Sequence, residues 1–354
     1  MGTMTYREAI TRSMRDALQK NPNAIIYGLG VTDFTGIFGT TVGLEKDFGP
    51  ERVFDTPLAE DSMTGFAVGA ALNGLYPIHI HTRADFMLLA MNQIINSAAK
   101  YKYMYGGLFQ LPMLIRAVIG RSWGQGAQHS QSLQALFSHI PGLTVVMPSS
   151  AQSALATYEF AVNHFKSPVI SLEHRLLYDL SFNVPDNTPD TGRSPLTSFM
   201  LRDGKDVTIA AASMTVIDAL NAAKYVKEKE GIEAAVIDLH CVTNIDGKML
   251  IESVEKTGKL IVADTGWASY GVCAEVCRII STQNPGILKK PVKSVSMAPA
   301  PCPTSKTLEN YFYPDMGTIV DEIYKLVRAK DAHGRELPST EYKRKLHKEF
   351  KGPF

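Results

Sequence analysis

Three short stretches hold residues whose types and spacing suit chemistry. In DTPLAEDSMTGFAVGAALNG (55–74), Glu60 stands before a run of small and apolar residues. A carboxylate next to a helix that will be buried is costly unless it is paired or used. HIHTRADF (79–86) closes an apolar run with two histidines, an arginine and Phe86. GRSWGQGAQHSQS (120–132) is a glycine-containing loop that leads through His129 toward a helix. A carboxylate, an aromatic ring and an imidazole on three strand-end loops suit a site at the carboxyl edge of a parallel sheet. Singly, each residue has a plainer role. Glu60 suits a helix N-terminus facing the macrodipole, Phe86 suits a core, and His129 suits the start of its own helix. The bare side left by Gly65, Gly69, Ala70 and Ala71 lets a backbone or a flat ligand approach closely.

Common signatures of other chemistries are missing. The chain has no GxxxxGK[ST] phosphate loop and no HExxH. GLGVTDFTG (28–36) follows an apolar run but lacks the third glycine of a dinucleotide fingerprint.

The elements that must position these residues follow from periodicity. Thr5-x-x-Glu8 is a capping box, and apolar positions from Tyr6 to Leu18 recur at helical spacing. Apolar runs predict strands over Ala24–Tyr27, Pro77–His81, Met113–Ile119, Thr144–Met147 and Val169–Glu173, with helices over Ser62–Leu72, Phe86–Tyr103 and Ala151–Phe165. Strands apolar on both faces fit a parallel sheet covered by helices. The proline- and turn-rich stretch 176–203 breaks the rhythm and reads as containing a linker. A second series follows, with strands Val207–Ala211, Ala234–Leu239, Leu260–Ala263 and Val292–Ser296 and helices Val216–Lys229, Met249–Thr257 and Val272–Thr282. The fold class is therefore α/β in two domains, 1–180 and 204–330, with a linker at 181–203 and a basic extension at 331–354.

Length and composition agree with that division. A chain of 354 residues exceeds one ordinary core, and 45% hydrophobic with 20% charged residues describes a globular protein. Lys plus Arg (36) almost cancels Asp plus Glu (35), which gives no reason to expect nucleic acid or an acidic membrane as partner. Cys273 and Cys277 lie four apart in an apolar helical pattern and read as thiols on one helix face, and no metal site is expected in this chain. MGTMTYREAI has no apolar signal core, and no apolar run is long enough to span a bilayer, so a cytoplasmic setting is expected.

Taken together, the blocks carry a resemblance. GLEKDFGPERVFDTPLAE (43–60), GFAVGAALNGLYPI (65–78), NQIINSAAKYKYMYGG (92–107) and QHSQSLQALFSHIPGLTVVMPSS (128–150) resemble the beta subunits of thiamine-diphosphate-dependent 2-oxoacid dehydrogenases. GKDVTIAAASMTVIDALNAA (204–223), AAVIDLH (234–240) and KTGKLIVADTGW (256–267) are similar to the transketolase C-terminal domain. The resemblance implies a pyrimidine-binding first domain in which Glu60 hydrogen-bonds N1′ of the cofactor's pyrimidine. A carboxylate in a dry, apolar setting has a raised proton affinity, which suits sharing a proton with that ring. It also implies that Phe86 packs on the pyrimidine, that Thr82 and Leu58 line the same cofactor site, and that His129 serves near the reacting carbon.

The family's GDG text, which binds diphosphate and Mg²⁺, occurs nowhere in the chain. Mg²⁺ wants carboxylate, amide and phosphate oxygens, so the resemblance implies an alpha subunit that brings that half of the site in an α2β2 assembly. The chain alone should be inactive. The implied reaction is decarboxylation of a small, pyruvate-like 2-oxo acid and transfer of the acyl unit to a lipoyl group on an acyltransferase. The alternative is an acyloin-forming or transketolase-like transfer to an aldehyde or ketone. A scaffold that has lost catalysis would not need Glu60, Phe86 and His129 together. The chain departs from the family at HIHTRADF, where dehydrogenase members show a Glu-containing, aromatic-rich strand. His79, His81 and Arg83 thus place two imidazoles and a cation near the cofactor's face. They serve there either as contacts for a carboxylate- or hydroxyl-bearing substrate or as members of structural networks.

Overall fold

The computed structural model describes residues 2–121, 124–184, 194–328 and 335–349. Parts of the expected linker (185–193), of the 120–132 loop (122–123) and of the basic extension (329–334, 350–354) lie outside the described residues. The described chain forms two compact units. One runs to Arg121 and resumes from Leu136 to Leu196; the other holds the segment that ends at Ala135 and the chain from Thr197 onward.

In the first unit, β1 (Gly2–Thr5) pairs antiparallel with β8 (Ser181–Val184). The main sheet contains β2 (Ala24–Gly28), β3 (Val53–Phe54), β4 (Tyr76–His81), β5 (Met113–Ile119), β6 (Thr144–Val146) and β7 (Pro168–His174). Its order is β3-β2-β4-β5-β7-β6, and every pairing is parallel. All residues of β2, β4, β5 and β7 are buried, as the continuous apolar runs predict for a sheet covered on both faces. The capping box at Thr5 forms, and the helix Tyr6–Lys20 buries its apolar stripe.

In the second unit, β9 (Phe199–Arg202), β10 (Val207–Ala211), β11 (Ala234–Asp238), β12 (Leu260–Trp267) and β13 (Lys293–Met297) make a sheet of order β13-β12-β10-β11-β9. Only β9 runs antiparallel. The helices Met214–Glu230 and Met316–Val327 pack against this sheet through Val216, Ala219, Val226, Ile319 and Ile323. Both α/β layers therefore match the expected fold class.

Three local expectations change. The stretch 181–203 is not linker throughout, because β8 and β9 occupy its two ends; both are short strands that pair at a sheet's margin, where alternation is too brief to read. The helix expected over Phe86–Tyr103 is a series of turns: Ala84–Met87 is α-helical, Leu88–Ala90 is 3₁₀, Gln93–Ala98 is π-helical and Tyr101–Met104 is α-helical again. The widened turn brings Gln93 against Gly65, where an added Cβ would meet its side chain at 3.4 Å. Finally, the basic extension, for which no element was expected, contains the helix Thr340–Glu349, and its Tyr342 ring packs on Tyr225 at 5.3 Å.

Candidate active site

β3 ends at Phe54, and six residues later the helix Glu60–Leu72 begins with Glu60 itself, two residues earlier than its apolar pattern. This helix joins β3 to β4, two parallel strands, so it runs antiparallel to them and its N-terminus lies at their carboxyl edge. Glu60 and Asp61 both occupy the first turn, where negative charge suits the macrodipole. Glu60 is half-buried. The dry setting expected for it is therefore not made by this chain alone.

Beneath this helix runs a column of rings. Phe54, Tyr27 and His79 hold matching positions on β3, β2 and β4. Their rings stack at 5.2 Å (Phe54–Tyr27) and 4.8 Å (Tyr27–His79), and His81 follows 4.2 Å from His79. The Tyr27 hydroxyl donates to the Met63 carbonyl at 3.0 Å, and Thr64 Oγ1 lies 3.3 Å from His79 Nδ1. Glu60 is one helical turn before Thr64, about 5.4 Å further toward the carboxyl edge. His81 is two residues beyond His79 on the same face, about 6.6 Å in the same direction. Glu60 and His81 therefore stand at one level above the sheet.

Both histidines are buried. Burial, reinforced by His81, holds His79 well below the usual imidazole range, and burial pushes His81 down to about 3. His81 Nε2 has no hydrogen-bond partner among the described residues. Arg83 is buried too, and its Nη1 donates to the Gly120 carbonyl at 2.8 Å. Of the two alternatives for these residues, burial of the imidazoles and the bond from Arg83 to Gly120 favour the structural one for His79 and Arg83.

The remaining expected residues divide between the two units. Leu58 (74% exposed) and Phe86 (38% exposed) present apolar surface after β3 and β4. Thr82 Oγ1 donates to the Leu29 carbonyl at 3.3 Å, tying the ends of β2 and β4 together. Gly28, at the end of β2, lies so close to β4 that a Cβ would sit 2.2 Å from Ile80 O. His129 belongs to the segment grouped with the second unit, and the helix it was expected to open starts only at Gln134. Sequence reasoning missed Tyr27, Thr64, Gln134 and Asp264. The last could have been found as the one carboxylate inside the apolar run LIVADTGW.

A half-buried carboxylate at a helix N-terminus, an exposed ring on the next loop and an unpartnered imidazole nitrogen fit one end of a flat heteroaromatic cofactor. The described residues hold no group of three His, Cys, Asp or Glu side chains able to bind a metal. Among the described residues, no helix is long and apolar enough to cross a membrane.

A two-domain chain of this kind is of the transketolase class: residues 2–180 match the family "Transketolase, pyrimidine binding domain" and 198–319 match "Transketolase, C-terminal domain". The pyruvate dehydrogenase E1 component subunit beta-1, mitochondrial, of Arabidopsis thaliana is 37% identical over 319 residues, 90% of this chain and 87% of that protein. The pyruvate dehydrogenase E1 component subunit beta of Rickettsia conorii is 36% identical over 325 residues, 91% and 98% respectively. A solved structure described as "Split gene transketolase, inactive beta4 tetramer" superposes with a TM-score of 0.76 at 27% identity, covering 92% of this chain and 99% of that one. The chain belongs to the beta-subunit family of thiamine-diphosphate-dependent 2-oxoacid dehydrogenases.

Proposed function

We propose that the chain is the beta subunit of an enzyme that decarboxylates a small 2-oxo acid with thiamine diphosphate and passes the acyl unit to a lipoyl group. The observation that carries this reading is Glu60 at the carboxyl edge of the first sheet, with Leu58 and Phe86 exposed on the segments that follow β3 and β4. Bound thiamine diphosphate would supply the carbanion chemistry. Glu60 would accept a hydrogen bond from the pyrimidine end and hold the proton it shares with that ring. Phe86 and Leu58 would cover the ring and exclude water, and Thr82 would fix the loop between them. His129 would hold or deliver a proton near the reacting carbon. His81, kept neutral by burial, offers a hydrogen bond through Nε2 and adds no charge. Among His79, His81 and Arg83 it is the substrate-contact candidate, whereas His79 and Arg83 serve the scaffold.

The diphosphate and Mg²⁺ would be held by an alpha subunit carrying a GDG-type site, in an α2β2 assembly with a lipoyl acyltransferase as acceptor. The missing GDG text and the uncovered apolar side chains of the first unit support this division. Relatives include mitochondrial and bacterial proteins; the cytoplasmic setting read from the N-terminus belongs to this proposal and is tested by fractionating cells that express the tagged chain.

The test is co-expression with the gene product of its alpha partner, followed by assay with thiamine diphosphate, Mg²⁺ and pyruvate. Carbon dioxide release, and acyl transfer to a lipoyl domain in preference to aldehydes, is expected. Release without lipoyl transfer, but with ketol formation from aldehydes, would select the acyloin-forming alternative. No release from any common 2-oxo acid, with cofactor bound, would reject both.

A further inference from the structure

The segment that carries His129 is fastened by the second unit. Gln134 Nε2 donates to Asp264 Oδ1 at 2.7 Å, and the two residues are 0% and 1% exposed. The Tyr313 hydroxyl donates to the Ser130 carbonyl at 3.4 Å, and its oxygen lies 3.2 Å from Cys302 Sγ. Gly124 and Gly126 lie against Thr304, so closely that a Cβ on either would meet it at 2.8 Å. Asp264 lies in β12 toward its carboxyl end, and Gly266 keeps the space beside it open. A Cβ on Gly266 would meet Gln134 Nε2 at 2.6 Å and Asp264 Oδ2 at 3.0 Å. Burial pushes the Asp264 carboxyl up to about 6, against the opposing pull of Gln134 and the N–H groups of Thr265, Gly266 and Val272. Burying a carboxylate is unfavourable, and Leu260, Ile261, Val262 and Ala263 before it in β12 are all apolar. Its connection to the segment is what an apolar residue would lose.

We propose that Asp264 is a positioning residue: through its hydrogen bond to Gln134 it fixes segment 124–135, and with it His129, from β12. The inference rests on the role proposed for His129, since only then does fixing the segment serve the reaction. A misplacement of about 1 Å in a catalytic group can cost on the order of 100-fold in rate, which gives a reason to anchor this segment with a buried, charge-assisted bond.

Hydrogen exchange read by mass spectrometry on the full chain tests the anchoring without reference to activity. Asp264→Ala and Gln134→Ala should each speed exchange in 124–135 by about tenfold or more, leave 60–81 unchanged, and give no further effect combined, because each removes the same bond. Gly266→Ala crowds Gln134 off the carboxylate without touching the charge. It should reproduce the effect should Asp264→Ala fail to fold. In the co-expressed enzyme the same variants should lower kcat roughly 10- to 100-fold with KM for the 2-oxo acid and thiamine diphosphate affinity within about twofold. Asp264→Asn, whose carbonyl still accepts from Gln134, should recover part of the loss. Unchanged exchange in 124–135 overturns the proposal, as does exchange that speeds up while kcat stays at the wild-type value. Failure of the underlying reading shows differently: His129→Ala would then leave kcat untouched, whatever the exchange data show.

Discussion

Glu60 and His81 stand at one level of the sheet edge but answer burial in opposite ways. Glu60 is half-buried and keeps access to the solvent side, where a cofactor ring would meet it. Replacing it by Gln keeps the shape and removes the negative charge that favours proton sharing. In the assembled enzyme, Glu60→Gln should slow exchange of the cofactor's thiazolium proton by roughly 100-fold or more. An exchange rate near that of the wild type, measured by NMR quench, would remove Glu60 from its proposed role. His81 is buried and neutral. Its folded pKa lies below the unfolded value, so protons bind the unfolded chain better. Its contribution is present above about pH 6.5 and is lost as the pH falls toward about 3. At one pKa unit per 1.36 kcal/mol this amounts to about 3 kcal/mol between pH 6.5 and pH 4. His81→Phe should remove much of that acid sensitivity, as read from urea titrations at the two pH values. Equal acid sensitivity in the variant would show that the imidazole is solvated.

At the scale of elements, the first sheet is held by a buried ion pair that no short motif announces. Arg116 on β5 grips Glu173 on β7 at 2.6 and 2.9 Å, and Tyr158 and Tyr178 donate to the same carboxylate at 2.6 and 2.7 Å. Burial and the Glu173 charge push both phenols well above the usual range, so they remain donors. Arg116→Met should cost about 3–5 kcal/mol, because it leaves a carboxylate buried without its cation; chemical denaturation checks it. A cost under about 1 kcal/mol would mean that the phenols alone satisfy Glu173. The π-helical turn at Gln93–Ala98 belongs to the same scale. It ends the regular helix expected over 86–103, so Phe86 is displayed from a short turn instead of a long helix face. Turns of this kind recur at functional sites.

At the scale of the whole molecule, the first unit leaves large apolar side chains uncovered. Leu58, Phe66, Phe86, Leu88 and Leu89 are exposed on the first unit, and exposed apolar patches mark contact surfaces. The chain by itself should therefore bind thiamine diphosphate weakly and release no carbon dioxide from pyruvate, while co-expression with its alpha partner restores both. Calorimetric titration with the cofactor separates the two states. Tight, Mg²⁺-dependent binding by the chain alone would refute the divided site.

The sequence alone determined much of this protein. Buried strands announced themselves because a parallel sheet covered on both faces needs continuous apolar runs, as in Met113–Ile119. Thr5 and Glu8 announced the first helix because a capping box is a local device. Glu60, Phe86 and His129 stood out as candidates because they stand at breaks in those patterns. Tertiary structure alone decided what depends on contacts distant along the chain. Phe54, Tyr27, His79 and His81 form a ring column only because β3, β2 and β4 align in register. The text HIHTRADF leaves His79, His81 and Arg83 open between substrate contacts and structural networks, and only the fold shows the imidazoles buried and the Arg83 guanidinium bonded to the Gly120 carbonyl. The pairing of Gln134 with Asp264 joins residues 130 positions apart. Spacing along the chain carries no information about such a bond, because its energy is set where burial and geometry are set, in the folded state.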